Sequence, residues 1–310
     1  MEFIRGLHNI RARHQGCVAT IGNFDGVHLG HQAVIRQLHE VAAGCGLPAT
    51  VIIFEPQPQE FLAPGRAPAR LMRLRDKIEW LEWHDVDCVL CLHFDRGLAE
   101  WSAQQFIERV LRVGLAVKHL IVGDDFRFGK NREGGYDTLV THAHRSGYQV
   151  EHTTTCEIEG SRVSSTRVRE ALSNGDMMLA ARLLGRPYAI SGRVMHGDKR
   201  GRELGYPTIN LDLHRLRSPV AGIFVARVHG LGTEARPAVT SVGNRPMFDG
   251  TKMLLESHLL DYTGDVYGAY VNVELLQRLR AEEIFASNGE LKQQIERDIA
   301  GTRRYFAKQK

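Results

Sequence analysis

Thr20 to His31, reading T-I-G-N-F-D-G-V-H-L-G-H, decides the architecture of the first half of the chain. It follows the apolar run Cys17 to Ile21 and opens onto apolar positions at helical spacing (Val34, Ile35, Leu38, Val41, Ala42), so it reads as a strand, a tight glycine turn and a helix start. Gly22, Gly26 and Gly30 let the backbone approach a ligand or take positive φ, and the first N–H groups of the helix favour an anion. His28 and His31, three apart, share one helix face and bring two imidazoles to one place. Phosphate binding accounts for turn, helix start and histidine pair together. The same stretch is also compatible with a metal held by the two histidines and Asp25, or with ordinary surface histidines on a common α/β turn.

The remainder of the chain sets the bounds. Its 310 residues suit two domains, and 43% hydrophobic with 25% charged residues is a globular composition. The net charge of +4, 40 basic against 36 acidic residues, is spread without a basic block and does not imply nucleic acid. Five cysteines (Cys17, Cys45, Cys88, Cys91, Cys156) with one close pair inside an apolar run read as reduced, buried thiols, which points to the cytoplasm. The N-terminal M-E-F-I-R-G-L-H lacks a signal-like apolar segment, and no stretch is long enough to span a membrane.

In order, apolar strands at Ala49 to Phe54, Cys88 to Leu92 and His119 to Val122 alternate with helical patterns, one from about Arg75 to Trp83 and one capped by Ser102 and Gln105. Strands apolar throughout predict a parallel sheet covered by helices on both faces, with ligands beyond the strand carboxyl ends. The histidine turn, the E-P-Q-P loop after Phe54 and G-D-D-F-R-F-G-K (Gly123 to Lys130) all lie at such ends. The last mixes carboxylates, aromatics and cations, and by composition is equally a heterocycle-and-phosphate loop or a solvated turn. Arg162 to Arg169, R-V-S-S-T-R-V-R, is a hydroxyl-rich helix start flanked by arginines, either a second anion site or a capped surface helix. After a short helix at Asp176 to Leu184 the texture changes. Period-two runs such as Ile223 to Val228 and Tyr270 to Glu274, separated by glycine- and proline-rich turns, predict a small closed β-barrel, and the chain ends in a helix capped by Ser287 and Glu290. H-G-D-K-R-G-R-E-L-G-Y-P-T-I-N-L (His196 to Leu211) offers a basic glycine loop and, in Thr208 and Asn210, oxygen ligands of the kind Mg²⁺ prefers; its spacing alone also fits a plain hairpin.

G-x-F-D-G-x-H-x-G-H resembles the signature of the adenylyltransferase half of the prokaryotic bifunctional riboflavin kinase/FAD synthetase family, a variant of the H-x-G-H nucleotidyltransferase motif. The resemblance extends over nearly the whole chain in family order. G-D-D-F-R-F-G and S-S-T-x-x-R recur in the first half, and in the second P-T-I-N (Ile209 for the usual alanine), S-V-G-N-R-P-M-F from Ser241 (Met247 for threonine) and L-E-S-H-L-L-D from Leu255. Gln57 stands where the family usually has histidine.

The resemblance implies a Rossmann-like nucleotidyltransferase domain over residues 1–185 and a β-barrel riboflavin kinase domain over 186–310. The barrel would phosphorylate riboflavin with MgATP to FMN; the first domain would transfer AMP from ATP to FMN, giving FAD and pyrophosphate. It assigns His28, His31 and Arg169 to charge neutralisation, and Gly22, Asn23, Phe24, Gly30, Arg162, Ser165 and Thr166 to the ATP of adenylyl transfer. Asp125, Phe126 and Arg127 would meet the flavin. In the barrel, Gly197, Lys199, Gly201, Arg202 and Gly205 would cover ATP, Thr208 and Asn210 would hold Mg²⁺, Glu256 would be the general base and Arg280 would help position the flavin. Two other functions fit the same motifs: a related nucleotidyltransferase acting on another phosphorylated small molecule, and a non-catalytic flavin-binding sensor.

Overall fold

The computed structural model of the chain describes residues 1–196, 205–213, 217–247 and 250–309, with 244–247 and 250–252 described by backbone alone. The chain divides into two compact units, Met1–Pro68 with Arg73–Val163, and Ala69–Met72 with Ser164–Lys310.

The first unit is a parallel six-stranded sheet of β1 (Glu2–Arg5), β2 (Val18–Ile21), β3 (Ala49–Glu55), β4 (Cys88–His93), β5 (His119–Val122) and β6 (Gln149–His152). The spatial order is β1-β4-β3-β2-β5-β6, every neighbouring pair parallel. Its helices are α1 (Leu29–Cys45), α2 (Pro58–Leu62), α3 (Leu74–Trp83), α4 (Arg96–Ala99), α5 (Ala103–Phe106) and α6 (Tyr136–Ser146), and a hairpin of β7 (Glu157–Ile158) and β8 (Ser161–Arg162) follows. All four residues of β2 are buried, as are Ala49 to Phe54 of β3, which is why these strands read as unbroken apolar runs. Chain order runs outward from β2 through β3 to β4 and then returns to the other side of β2 with β5. That reversal opens a crevice at the carboxyl ends of β2 and β5, where the histidine turn and the Gly123 to Lys130 loop emerge side by side.

Two local features depart from the sequence reading. β1 forms an edge strand from the N-terminal segment that no periodicity marks, and α5 continues into a π-helical stretch, Ile107–Gly114. The cysteines are all free, but only Cys17 and Cys91 are buried; Cys88 and Cys156 are half-buried, and Cys45 is exposed because α1 ends there, with Gly46 in the left-handed conformation. Burial pushes the Cys17 and Cys91 thiols up to about 11.

The second unit begins with α7 (Ser165–Asn174) and α8 (Met177–Leu184). Six strands follow: β9 (Tyr188–Met195), β10 (Ile209–Asp212), β11 (Gly222–His229), β12 (Arg236–Met247), β13 (Gly250–Leu259) and β14 (Tyr270–Arg280). They close an antiparallel barrel in the order β10-β13-β12-β11-β14-β9, with β9 pairing back onto β10. Alternate residues fill it, among them Phe224, Ala226, Val228, Val242, Leu255, Val271 and Val273. The Thr240 and Ser257 hydroxyls, both fully buried, satisfy each other at 2.7 Å. The chain ends in α9 (Asn288–Ala307), capped by Ser287 accepting from the N–H of Glu290. The Glu290 carboxylate accepts from the Ala286 N–H at 3.1 Å, one residue before the position a reciprocal capping box uses.

Candidate active sites

The histidine turn is strained backbone held by burial. Phe24 and Val27 carry φ of 47° and 39°, values costly for a bulky and a β-branched residue, and both side chains are buried. Of the three glycines in the turn, Gly26 alone needs positive φ, at 92°. Gly30 is required by space: a Cβ there would lie 2.9 Å from the Val163 carbonyl oxygen and 3.1 Å from the His28 ring. Gly22 lies against the Phe24 ring, and Asn23 is exposed at the tip.

His28 is the N-cap of α1, its Nδ1 accepting from the His31 N–H at 3.2 Å. An accepting Nδ1 places the proton of the neutral ring on Nε2, so His28 presents a donor on its far side. The His28 and His31 rings stack at 3.7 Å with planes 16° apart, and the Phe24 ring lies 4.8 Å from that of His31. Asp25 is buried beside them. The pair therefore converges as its spacing predicts, at the positive end of α1.

Across the crevice, the Phe126 and Phe128 rings stack at 5.4 Å, Phe128 buried and Phe126 packed on the sheet core. The exposed Arg127 donates to the Phe126 carbonyl and lies against Gly135, where an added Cβ would push the guanidinium aside. Arg162, on β8, reaches Asp125 at 3.5 Å, so an arginine read as an ATP residue and a carboxylate read as a flavin residue belong to one cluster. Tyr136 stacks on His152 at 3.6 Å, and His152 pairs with Asp124. Gln57 is buried beyond β3; its N–H donates to Glu60, while its side-chain Nε2 has no partner among the described residues and can donate to a bound group.

The S-S-T-R-V-R segment lies in the second unit. Ser164, rather than Ser165 or Thr166, is the N-cap of α7, accepting from the Arg167 N–H at 3.3 Å; Ser165 and Thr166 form the first turn. Arg169 Nε donates to the Ala69 carbonyl at 2.6 Å.

In the barrel, strand register brings together residues of the second candidate site. Asn210 pairs with Glu256, and Glu256 with Ser241, giving one row across β10, β13 and β12. Leu255, Ser257 and Thr240 are buried in the barrel, whereas Glu256 and Ser241 are half-buried on the opposite face; Asn210, their neighbour in the row, is buried at 8% exposure. Ile209 pairs with Ser257 on the opposite face, so the Ile209 substitution leaves this row untouched. Asn210 Nδ2 donates to the Thr208 carbonyl at 3.4 Å, which turns the amide oxygen the other way. Among the described residues no cluster of three or more His, Cys, Asp or Glu side chains could enclose a metal. The hard oxygens of Thr208 and Asn210 instead fit a cation that keeps water and nucleotide phosphates in its shell. Arg280, at the end of β14, is committed to Asp298 of α9, its Nε and Nη2 donating to the carboxylate at 2.8–3.2 Å. Gly197, Lys199, Gly201 and Arg202 lie outside the described residues, as does the side chain of Met247; Gly205 is exposed with φ 91°.

The profile of the FAD synthetase family matches residues 10–167 and that of riboflavin kinase residues 184–306. A bifunctional riboflavin kinase/FMN adenylyltransferase of Haemophilus influenzae is 47% identical over 306 residues, covering 99% of each chain. Those of Escherichia coli K12 and Pseudomonas fluorescens are 48% and 49% identical over 98–99% of this chain and 97–98% of theirs. The chain belongs to the bifunctional riboflavin kinase/FMN adenylyltransferase family. A crystal structure titled as a macrolide-efflux protein from Streptococcus pneumoniae also matches, with a TM-score of 0.82 at 29% identity over 98% of this chain and 99% of that one. No helix of the described residues is long and apolar enough to cross a membrane.

The sequence reading did not single out Ser164 as the cap of α7, nor the contact of Tyr136 with His152. A serine one residue before a run of favourable helix formers was a legible cap signal for Ser164. The stack of Tyr136 on His152 joins α6 to β6 and had no local signal.

Proposed function

We propose that the chain makes FAD from riboflavin in two steps: phosphorylation of riboflavin by ATP on the barrel, then transfer of AMP from a second ATP to FMN at the histidine turn. The activities are assigned to residues 186–310 and 1–185, and the protein is assigned to the cytoplasm. The observation that carries the kinase reading is the Asn210 and Glu256 pairing, which sets a metal-type oxygen donor beside a carboxylate on adjacent strands.

In the first step Glu256 accepts the proton of the ribityl 5′-hydroxyl while that oxygen bonds to the γ-phosphorus and ADP leaves. Thr208 and Asn210 would hold Mg²⁺ with the nucleotide, where it would offset phosphate charge. In the second step an FMN phosphate oxygen bonds to the α-phosphorus of ATP and the bond to pyrophosphate breaks. The attacking oxygen is already anionic, so no strong base is needed. His28 donates from Nε2, and His31 adds positive potential to the charge that builds up on the α-phosphoryl oxygens. The carboxylate of Asp125, the ring of Phe126 and the guanidinium of Arg127 serve the flavin, and Arg280 serves the barrel site by fixing α9.

The test is to incubate the purified protein with riboflavin, ATP and Mg²⁺ and separate flavins over time. FMN should appear first and FAD after it. His28→Ala should abolish FAD formation with FMN formation intact, and Glu256→Ala should abolish FMN formation while FAD is still made from supplied FMN. Equal loss of both activities in a folded single variant contradicts two separate sites. ATP binding without flavin turnover would favour the transferase with another substrate.

A further inference from the structure

The approach to β10 is clamped from two sides. The His258 Nδ1 lies 2.9 Å from the Pro207 carbonyl oxygen, and the Tyr206 hydroxyl donates to Glu296 of α9 at 3.0 Å. The Tyr206 ring stands edge-on to that of His258, centroids 5.6 Å apart at 89°. Proline has no N–H, so the backbone at 207 can be anchored only through its carbonyl, and a carbonyl only accepts. Nδ1 of His258 therefore carries a proton. His258 lies two residues beyond Glu256 on the same strand, hence on the same face. The clamped residues immediately precede Thr208 and Asn210.

We propose that His258 is a positioning residue for phosphoryl transfer. By holding the Pro207 carbonyl it fixes the segment carrying the Thr208 and Asn210 oxygens relative to Glu256, with the Tyr206 and Glu296 hydrogen bond as its second anchor. The inference rests on the kinase reading above. Groups that orient metal-binding residues without touching the metal commonly change affinity tenfold to a hundredfold.

Three variants of the full chain, His258→Ala, His258→Asn and His258→Gln, separate this role from plain packing, because an asparagine amide can donate from about the place of Nδ1 and a glutamine amide from that of Nε2. MgADP binding measured by calorimetry should weaken about tenfold in His258→Ala. The KM for MgATP in FMN formation should rise with it more than kcat falls, and FAD formation from supplied FMN should not change. His258→Asn should recover most of the loss and His258→Gln little. Tyr206→Phe should act in the same direction with a smaller effect, and keeps the test available if His258→Ala folds poorly. Nitrogen NMR of the wild type should show a proton on Nδ1 of His258. Unaltered MgADP binding in His258→Ala, asparagine no better than alanine, or a neutral ring protonated only on Nε2 would each overturn the proposal. A wild type that forms no FMN would instead overturn the kinase reading.

Discussion

Arg280 is expected to matter for stability first and for flavin only through it. Its side chain is 15% exposed and that of Asp298 6%, and Gln294 adds a hydrogen bond to the same carboxylate at 3.0 Å. Removing one member of a buried pair leaves the other charge uncompensated, which costs about 3–5 kcal/mol. Gln294 still donates in the variant, so the lower end applies, roughly 3 kcal/mol. The guanidinium also lies 5.6 Å from the Phe285 ring, a contact contributing about 0.5 kcal/mol at a partly exposed site. Arg280→Met should therefore increase local opening of α9 by about three hundredfold, read as faster amide exchange over Asn288–Ala307. All three tryptophans (Trp80, Trp83, Trp101) lie in the first unit, so fluorescence is a built-in control that should change little. The double variant Arg280→Met with Asp298→Leu replaces the pair by apolar groups and should recover most of the protection. If exchange in α9 is unchanged by Arg280→Met, the reasoning fails. If the double variant restores protection but not the KM for riboflavin, Arg280 touches the flavin itself.

Gly30→Ala should lower FAD formation about tenfold, since its Cβ would lie 2.9 Å from the Val163 carbonyl oxygen and 3.1 Å from the His28 ring and must shift them, and misplacement at a reacting centre is costly; FMN formation is the control. Glu2 bonds to Arg13 and His14, and the Arg13 guanidinium above all holds its carboxyl down to about 2 from the usual 4.5. A depressed acid stabilises the fold above its unfolded value and loses that contribution as pH falls, so the wild type should lead Glu2→Gln in thermal midpoint at pH 6 and the lead should close between about pH 4.5 and 2. A lead that persists at the acid end would contradict it. With an aromatic disulfide reagent, one thiol should react fast; Cys45→Ser should abolish that phase, because Cys45 is exposed while Cys17 and Cys91 are buried with raised values.

What the sequence made legible follows from the range of each interaction. The histidine turn, the buried strands beside it and the caps at Ser102 and Ser287 are set by residues within a few positions of one another, and the structure has them. The alternation of strands and helices and the period-two runs of the second half likewise led to a parallel sheet and a closed barrel. β1 was silent because four residues on a sheet edge need neither alternation nor a continuous apolar run; it is held by pairing with β4, some 86 residues later in sequence, and by the contacts of Glu2 with Arg13 and His14. Register was silent for a related reason. Motif spelling placed Asn210 and Glu256 in one family, but only the pairing of β10 with β13 makes them neighbours, and a slip of one residue would turn Glu256 into the barrel and Ser257 out of it. The buried Thr240 and Ser257 hydroxyls oppose that slip: they satisfy each other in the present register, whereas a shift would bury the Glu256 carboxylate in their place without a charge to meet it. The row of Asn210, Glu256 and Ser241 is thus fixed from behind, by a polar pair on the inner face of the barrel.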